Sequence, residues 1–325
     1  MFRKLLSVEE AKRLLEQNLS PKPIGGEHTS LSEALNRVLA KDVVAQMDVP
    51  PFDRATADGY AVRTDDTFEA DEDHPIVLRV CGRVHVGEPP SVSVESGSAA
   101  EIATGAVLPR GSNAVVMLEY TTRKNESVLV YEPVSKGENV MKAGSDIRKG
   151  EVVLRGGHVL SSQDIGVLAA LGITTINVYA QPRVAILSTG AEIVEPGKTL
   201  PEGKIYDINT YTLSAAVEEC GGIPINLGIV ADEANQMREA LNKALSLADV
   251  VVTSGGVSIG PTDIIPSVLG GLGQPGVIVC GITTRPGKPT TIAVINGKPV
   301  FSLPGHPTSS LLMFYLFVRP LIVAM

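Results

Sequence analysis

The sequence predicts an α/β protein of three parts: a doubly wound, mainly parallel sheet, a small mixed α/β domain, and a β-rich domain inserted into the mixed one. From Arg183 onward, apolar strand patterns alternate with helical patterns, which is typical of a doubly wound sheet. Residues 52–140 contain few helical patterns, and residues 76–86 alternate at period two, as in a β-strand. Mixed patterning stands on both sides of that segment, so the β-rich part is predicted to be an insertion.

The same pattern changes give the domain boundaries. The mixed α/β domain is predicted at residues 1–50 and 143–179, the inserted β-rich domain at residues 51–142, and the doubly wound domain at residues 180–325. The first boundary coincides with two consecutive prolines, which favour extended chain over helix. We therefore expect a discontinuous domain rather than three domains in tandem.

Capping residues predict the helices of the mixed domain. Ser7 and Glu10 have the spacing of a capping box and predict a helix that begins at residue 8. A second box, which begins at Ser30, predicts a helix over residues 31–39. A third helix is predicted over residues 161–171 because its apolar positions recur at helical spacing before a glycine.

Short apolar runs define the remaining strands. In the β-rich domain, residues 114–117 and 128–130 are predicted strands, the second after a polar turn. Asn296-Gly297 predicts a tight type I′ hairpin in the doubly wound domain. The strands predicted in that domain are residues 184–187, 223–230, 250–252, 277–279, 291–295 and 300–302, and the helices are residues 211–219, 234–247 and from 309 onward.

Composition excludes several classes of partner. A net charge of −8 and an aromatic content of 4% without tryptophan argue against a nucleic-acid surface, which needs clustered cations or stacking platforms. The apolar residues 311–318 are followed by Arg319-Pro320 and fall short of the roughly 20 residues of a spanning helix, so we predict a buried helix and no membrane contact. Three isolated cysteines and no secretory leader favour the cytoplasm.

Four predicted strands of the doubly wound sheet end in loops of small residues. Strands of a parallel sheet end at one edge, so these loops and three acidic residues just beyond strand ends, Glu192, Asp232 and Asp263, are expected to meet there. Backbone donors, a lysine, an arginine and carboxylates suit a phosphate-bearing substrate held with a divalent cation. Each acid alone could equally be a solvated loop residue. The loops are Ser188-Thr189-Gly190, Ser254-Gly255-Gly256, Pro286-Gly287-Lys288-Pro289 and Pro304-Gly305-His306-Pro307.

Polar residues also occupy three loops outside that sheet. Asp58, Thr104 and Asp146 each lie in such a loop, and for Asp58-Gly59 and Thr104-Gly105, each taken alone, an ordinary turn is favoured over a functional role. The phosphate-binding pattern G-x-x-x-x-G-K-[ST], the dinucleotide pattern G-x-G-x-x-G and the zinc pattern H-E-x-x-H are all absent from the sequence. Nucleotide and zinc sites of those kinds are therefore excluded.

Taken in order along the chain, these motifs resemble one family, the molybdopterin molybdenumtransferases of the MoeA and gephyrin type. The resemblance covers essentially the whole chain. The motifs are D-G-Y-A-V-R at residues 58–63, T-G-A at 104–106, G-x-D-I at 144–147, S-T-G-x-E at 188–192, I-Y-D-x-N at 205–209, S-G-G-V-S-x-G at 254–260, R-P-G-K-P at 285–289 and L-P-G-x-P at 303–307.

The resemblance implies an activity and an assembly. It implies that adenylylated molybdopterin and molybdate are converted to molybdenum cofactor and AMP with the help of Mg²⁺. It also implies an elongated multidomain chain in a homodimer, with a molybdopterin-binding α/β domain whose active site meets the inserted domain of the other subunit. A molybdopterin adenylyltransferase would act upstream. The family usually has a further C-terminal β domain, which we expect this chain to lack.

The resemblance also implies residue roles. Glu192, Asp232 and Asp263 would bind metal or position substrate, and Asp58, Thr104 and Asp146 would approach as catalytic residues from the partner subunit or a neighbouring domain. This chain has Ala191 and His306 where family members often have Asp and Asn. The implied substrate-binding residues are Ser188, Thr189, Gly190, Ser254, Gly255, Gly256, Arg285, Lys288, Pro304, Gly305 and Pro307.

Two alternatives to molybdenum insertion stay open from the sequence. A non-catalytic protein that holds molybdopterin or serves as a scaffold would use many of the same loops, although it would not need the full acidic set. A tungstate-inserting enzyme is the other alternative, because tungstate and molybdate are nearly isosteric and no residue type separates them.

Overall fold

The computed structural model describes residues 5–256 and 264–325, which form two compact units. One unit contains the chain up to residue 27 together with residues 178–325, and the other contains residues 28–177. The N-terminal helix thus belongs to the same unit as the C-terminal half of the chain. The division of the chain into three domains, with boundaries at residues 50, 142 and 179, stays a prediction.

The helices and strands follow one another in this order up to residue 179: α1 Val8–Asn18, β1 Gly26–Ser30, β2 Val43–Val44, β3 Arg54–Ala55, β4 Gly59–Val62, β5 Ile76–Val84, β6 Ser98–Ile102, β7 Ala114–Met117, β8 Thr121–Lys124, β9 Ser127–Val130, β10 Val140–Met141, β11 Val152–Leu154, α2 Ser162–Ala170 and β12 Thr175–Tyr179. The rest are β13 Arg183–Thr189, β14 Ile193–Val194, β15 Ile205–Tyr206, α3 Asn209–Glu219, β16 Ile223–Val230, α4 Ala234–Leu247, β17 Val250–Ser254, α5 Ile264–Gly270, β18 Pro275–Cys280, β19 Thr291–Ile295, β20 Lys298–Leu303, α6 Pro307–Met313 and α7 Arg319–Ala324, with a π-helical turn Phe314–Val318 between the last two.

The larger unit contains the predicted, mainly parallel sheet. Its six strands lie in the order β16-β13-β17-β20-β19-β18, and the first four are parallel. Alternate residues of β13 enter two separate cores: Ile186 packs in one with Leu213 of α3, and Leu187 packs in the other with Leu241 of α4. Helices therefore cover both faces of the sheet, and β17, which contains the strand predicted over residues 250–252, is buried along its whole length.

The topology brings the loops of interest to one edge. Strand β19 is antiparallel to both β20 and β18, so β18 runs in the same direction as β20 and β17. The loops that follow β13, β16, β17, β18 and β20 therefore leave the same edge of the sheet, which we call the rim. A ligand of an open α/β sheet is expected at this kind of edge.

The smaller unit contains a six-stranded sheet in the order β7-β4-β6-β5-β9-β8. All of its pairings are antiparallel except β5 with β6. The strands predicted within residues 76–86, 114–117 and 128–130 are confirmed by β5, β7 and β9. This sheet accounts for the period-two pattern that predicted β-structure in residues 52–140.

The predicted helix over residues 31–39 is wrong. Only a short 3₁₀ turn, Leu31–Glu33, forms there, and Ser30 and Glu33 bond to each other at 3.0 Å instead of capping the backbone. Asn36 then adopts a φ of 63°, and its N–H donates to the Leu160 carbonyl at 2.9 Å. Backbone pairing with a segment more than a hundred residues away thus outweighs the local helix signal.

The C-terminal helical segment contains the apolar run noted in the sequence. Among the described residues, Pro307–Ala324 is the one stretch long and apolar enough to cross a membrane by length and composition, and 44% of it is buried within the protein. Phe314, Phe317 and Val318 are fully or almost fully buried in the core that also contains α3. The segment therefore has the burial of a core helix.

The predicted helix over residues 161–171 is confirmed as α2, and its cap contains a strongly perturbed carboxyl group. Asp164 Oδ2 accepts from the Ser161 hydroxyl at 2.6 Å, from the Ser161 N–H at 2.7 Å, and lies 2.8 Å from His158 Nε2. The Ser161 side chain is the main cause, the Ser161 N–H and His158 add to it, and together they lower the pKa of Asp164 from 3.8 to about 2. The ionised form is therefore preferred in the folded state.

We expect this cap to make folding stability depend on acid pH. Because the folded pKa is depressed, the contribution of Asp164 is fully present above its unfolded pKa and is lost as pH falls from about 4 to about 2. Asp164→Asn should lower the free energy of unfolding by about 1 kcal/mol near neutral pH, and the difference should vanish at the acid end. Urea unfolding of wild type and Asp164→Asn at pH values between about 2 and 7 measures this difference in the free energy of unfolding. Asp73→Asn serves as the control. If the difference between wild type and Asp164→Asn did not change with pH, the role of the ionised Asp164 in the cap would be contradicted.

Candidate functional site

The rim begins at the end of β13, where a buried serine meets a buried carboxylate. Ser188 Oγ donates to Asp207 Oδ1 at 3.1 Å. The same carboxylate accepts from the N–H and the hydroxyl of Thr210 at 3.1 and 2.6 Å, which fixes the first turn of α3. Ser188, Asp207 and Thr210 are all buried, with 1%, 5% and 2% of their surface exposed. The loop after β13 is thus held at its start by a short polar network.

The loop after β17 packs directly against the loop after β13. Gly255 has a φ of 88°, and a Cβ at this position would lie 2.1 Å from the Thr189 carbonyl oxygen. A Cβ on Gly256, at φ 64°, would lie 2.9 Å from the Thr189 side chain. Only glycine is compatible with this approach. As a result, this loop contributes a half-buried stretch of backbone without side chains to the rim.

Asn209 connects this loop with the loop after β20. Its Nδ2 donates to Ser254 Oγ and to the Gly305 carbonyl, each at 2.6 Å. The Gly255 N–H also donates to the Leu303 carbonyl at 3.2 Å. Ser254, Gly255 and Gly305 were predicted to lie together from the sequence, and the structure brings them together.

Asp207 and Asn209 were not among the residues predicted to form the site. Their motif, I-Y-D-x-N, was recognised in the sequence, but no function was assigned to it. The available signal was an acid and an amide two residues apart, just before a helix. Because their partners at the ends of other strands are 19, 45 and 96 residues away, only the folded chain shows these contacts.

The loop between β18 and β19 supplies the cations of the rim. Gly287 is buried against α6, since a Cβ there would lie 2.5 Å from the Met313 methyl group. The Lys288 carbonyl accepts from the Ile282 N–H at 3.0 Å. Arg285 is exposed and Lys288 is half-buried, and neither forms an ion pair within the described part of the chain. Both positive charges are therefore available to an anion.

Two of the three predicted metal-binding carboxylates lie in rim loops. Glu192 is exposed and folds over its own loop, so that a Cβ on Gly190 would lie 2.7 Å from its Oε2. Asp232 is also exposed, two residues beyond β16, whose Val230 pairs with Thr189 at the end of β13. Asp263 lies outside the described residues. Within residues 5–256 and 264–325, no group of three His, Cys, Asp or Glu side chains could hold a metal, so the three-carboxylate site stays a prediction.

Three buried polar atoms at the rim have no hydrogen-bond partner among the described residues. They are Thr189 Oγ1, Asn209 Oδ1 and Ser310 Oγ. Buried polar atoms are satisfied in the great majority of cases, so those that are not mark positions where water, an ion or a ligand completes the structure. All three belong to the segments that meet at the rim, and none belongs to the smaller unit.

The smaller unit contains the other predicted catalytic residues. Asp58 Oδ1 accepts from both the N–H and the hydroxyl of Thr104, at 2.7 and 2.9 Å. The Thr104 N–H, followed by its hydroxyl, lowers the pKa of Asp58. Asp146 is exposed in a separate loop where its own N–H donates to the Val49 carbonyl at 3.0 Å. The structure thus pairs Asp58 with Thr104, and no hydrogen bond between described residues joins Asp146 to this pair.

Comparison with protein families identifies two regions of the chain. Residues 6–172 match the MoeA N-terminal region (domain I and II), and residues 185–324 match a probable molybdopterin binding domain. The second match contains the whole rim described above. The first contains Asp58, Thr104 and Asp146.

Individual relatives match over nearly the full chain. A molybdopterin molybdenumtransferase of Haemophilus influenzae is 38% identical over 98% of this chain and 77% of its own length, and one from Nostoc is 37% identical over 94% and 71%. Two solved structures of molybdopterin biosynthesis MoeA protein from Pyrococcus horikoshii have TM-scores of 0.87 and 0.81 with 44% and 37% identity. They cover 98% and 99% of this chain, which in turn spans 80% and 79% of theirs.

Proposed function

The chain belongs to the MoeA family of molybdopterin molybdenumtransferases, and from that premise we propose that it inserts molybdenum during molybdenum cofactor biosynthesis. The substrates are adenylylated molybdopterin and molybdate, and the products are molybdenum cofactor and AMP. The observation that carries the proposal is the rim, where the loops that leave one edge of the sheet contain glycine backbone, two cations without an ion pair and three buried polar atoms without a hydrogen-bond partner, all judged among the described residues. This combination suits an oxyanion next to a phosphate linkage.

The backbone of the rim provides room and polarity for an anion. Since Gly255 and Gly256 have no Cβ, a ligand oxygen can reach the peptide groups of this loop directly. The Arg285 guanidinium can donate two parallel hydrogen bonds to a phosphate group, and Lys288 adds a point charge. We assign these two cations to the anionic groups of the substrates.

The acidic residues of the rim fit a magnesium ion. Mg²⁺ is usually held through one or two carboxylates together with substrate phosphate oxygens, and Glu192 and Asp232 provide two exposed carboxylates beyond neighbouring strands. Asp263, outside the described residues, is the third residue we assign to this set. When bound, the ion withdraws charge from the phosphate linkage and acidifies a bound water. The carboxylates themselves orient the substrate phosphates relative to Arg285 and Lys288.

The proposal includes an assembly and a cellular setting. We assign Asp58, Thr104 and Asp146 to the active site of the partner subunit in a homodimer, supported by the family membership. A molybdopterin adenylyltransferase supplies the adenylylated substrate. A cytoplasmic location and the absence of nucleic-acid and membrane partners stay predictions from composition.

The test is a single-turnover assay of AMP release with adenylylated molybdopterin, molybdate and Mg²⁺. Wild type should release AMP and form cofactor, and Glu192→Gln should lower the rate about 100-fold because a metal-binding charge is lost. Asp263→Ala should act in the same way. Glu195→Gln is the matched control, since Glu195 lies only three residues further along the chain, just beyond β14, but pairs with Lys198 at 2.6 Å. Omission of Mg²⁺ should abolish the difference between wild type and Glu192→Gln.

Other results would redirect the assignment. Tight molybdopterin binding by wild type without AMP release would favour a binding or scaffold protein. Equal rates for wild type and Glu192→Gln would contradict the metal-binding role of Glu192. A competition assay with both oxyanions decides between molybdate and tungstate, which are nearly isosteric.

A further inference from the structure

Asn209 occupies an unusual position for a buried amide. Only 8% of its surface is exposed, and both N–H groups of its Nδ2 are used, one on Ser254 Oγ and one on the Gly305 carbonyl, each at 2.6 Å. These two acceptors lie in loops that leave different strands, β17 and β20. One amide therefore fixes the distance between two loops that are 51 residues apart in sequence.

Asp207 performs the same task for the loop after β13. Its carboxylate accepts from Ser188 Oγ at 3.1 Å and twice from Thr210, in the first turn of α3. Because Asp207 and Asn209 are separated by one residue at the start of α3, the helix start holds three rim loops simultaneously.

The contacts of this pair are more specific than core packing requires. An apolar side chain would fill the same space without leaving a buried acceptor, and an unsatisfied buried acceptor is unfavourable for folding. Asn209 Oδ1 nevertheless has no partner among the described residues. An unfavourable feature such as this buried acceptor is typically retained in a protein where it contributes to a functional site.

We infer that Asp207 and Asn209 are positioning residues that hold the rim loops at Ser188, Ser254 and Gly305 in the geometry that binds the phosphate-bearing substrate. The inference rests on the proposed function, because it assigns substrate binding to these loops. Asp207 and Asn209 do not react with the substrate. They set where the backbone and hydroxyl groups of the loops stand before the substrate arrives.

The kinetic test compares Asn209→Ala with Thr212→Ala, whose half-buried side chain donates to the carbonyl of Ile208, the residue just before the same helix. Loss of two hydrogen bonds of ordinary strength corresponds to a factor of about 30. The loops bind groups that do not react, so the loss should appear as a rise in KM for adenylylated molybdopterin, with kcat changed less than about threefold. Thr212→Ala should keep the wild-type KM.

Asn209→Asp tests the donor role with an almost isosteric side chain. At about pH 8 its carboxylate faces the Gly305 carbonyl oxygen and should raise KM as much as Asn209→Ala does. Burial beside a carbonyl favours the protonated form, so lowering the pH to about 5.5 should restore one donor and part of the affinity. A merely structural role would give no such pH-dependent recovery of KM. If Asn209→Ala does not fold, Asn209→Asp still tests the inference, because its side chain has almost the same shape as that of asparagine.

Hydrogen exchange tests the same inference without any activity. The Gly255 N–H, which donates to the Leu303 carbonyl, should exchange about 10-fold faster in Asn209→Ala than in wild type and Thr212→Ala. Unchanged exchange together with an unchanged KM would overturn the inference. If wild type neither binds nor turns over molybdopterin, the proposed function fails, and faster exchange in Asn209→Ala would still support the positioning of the loops.

Discussion

Replacing Gly255 by alanine is expected to reduce AMP release by about 100-fold or more. The added Cβ would lie 2.1 Å from the Thr189 carbonyl oxygen, an atom of the backbone that cannot rotate away. The loop after β17 must therefore move away from the loop after β13. Since the proposed function assigns substrate binding to both loops, moving one loop away from the other should remove the fit between the site and the substrate.

A matched glycine separates this clash from backbone strain. Gly221 has a φ of 82°, close to the 88° of Gly255, but a Cβ there would meet no atom within 4 Å. Gly221→Ala should therefore cost only the penalty of a left-handed alanine, about 1 kcal/mol of folding stability, with normal AMP release. Rates and melting temperatures of both variants measure the two effects. A Gly255→Ala enzyme with wild-type rates would contradict the packing of the two loops.

The sequence is sufficient to predict the sheet of the larger unit because its signals are local. Strands such as β17 are short β-branched runs, and alternation with amphipathic helices predicts parallel pairing. Parallel strands end at one edge, so the meeting of the Ser188, Ser254 and Gly305 loops follows from the order of strands alone. The hairpin at Asn296-Gly297 is confirmed for the same reason, since φ values of 50° and 85° are a property of these two residues.

The features that the sequence did not predict all depend on distant partners. The segment over residues 31–39 contains a helix signal, but its backbone finds a pairing partner at residues 158–160. The contacts of Asn209 depend on loops 45 and 96 residues away. A capping motif or an amide in a sequence shows which bonds a residue can make, and only the folded chain decides which of them it makes.

Removing the charge of Asp58 is expected to have the second large effect. Both bonds from Thr104 go to Oδ1, which leaves Oδ2 without a hydrogen-bond partner among the described residues. The same bonds lower the pKa of Asp58, so its carboxylate stays ionised down to pH values below 3.8. Asp58→Asn keeps the shape and one acceptor but loses the charge. If this group orients or accepts a proton in the reaction, kcat should fall about 100-fold.

Asp71 gives this experiment a control of the same kind. It is an exposed carboxylate of the same unit, and its pKa is lowered chiefly by the His74 N–H, which donates to Oδ1 at 2.6 Å. Asp71→Asn should therefore change stability about as much as Asp58→Asn does and leave kcat unchanged. Stopped-flow measurement of AMP release gives kcat for both variants, and urea unfolding gives their free energies of unfolding. Equal kcat values for the two variants would mean that the charge of Asp58 has no part in the reaction. The bonds from Thr104 to Asp58 would then only stabilise the conformation of the loop.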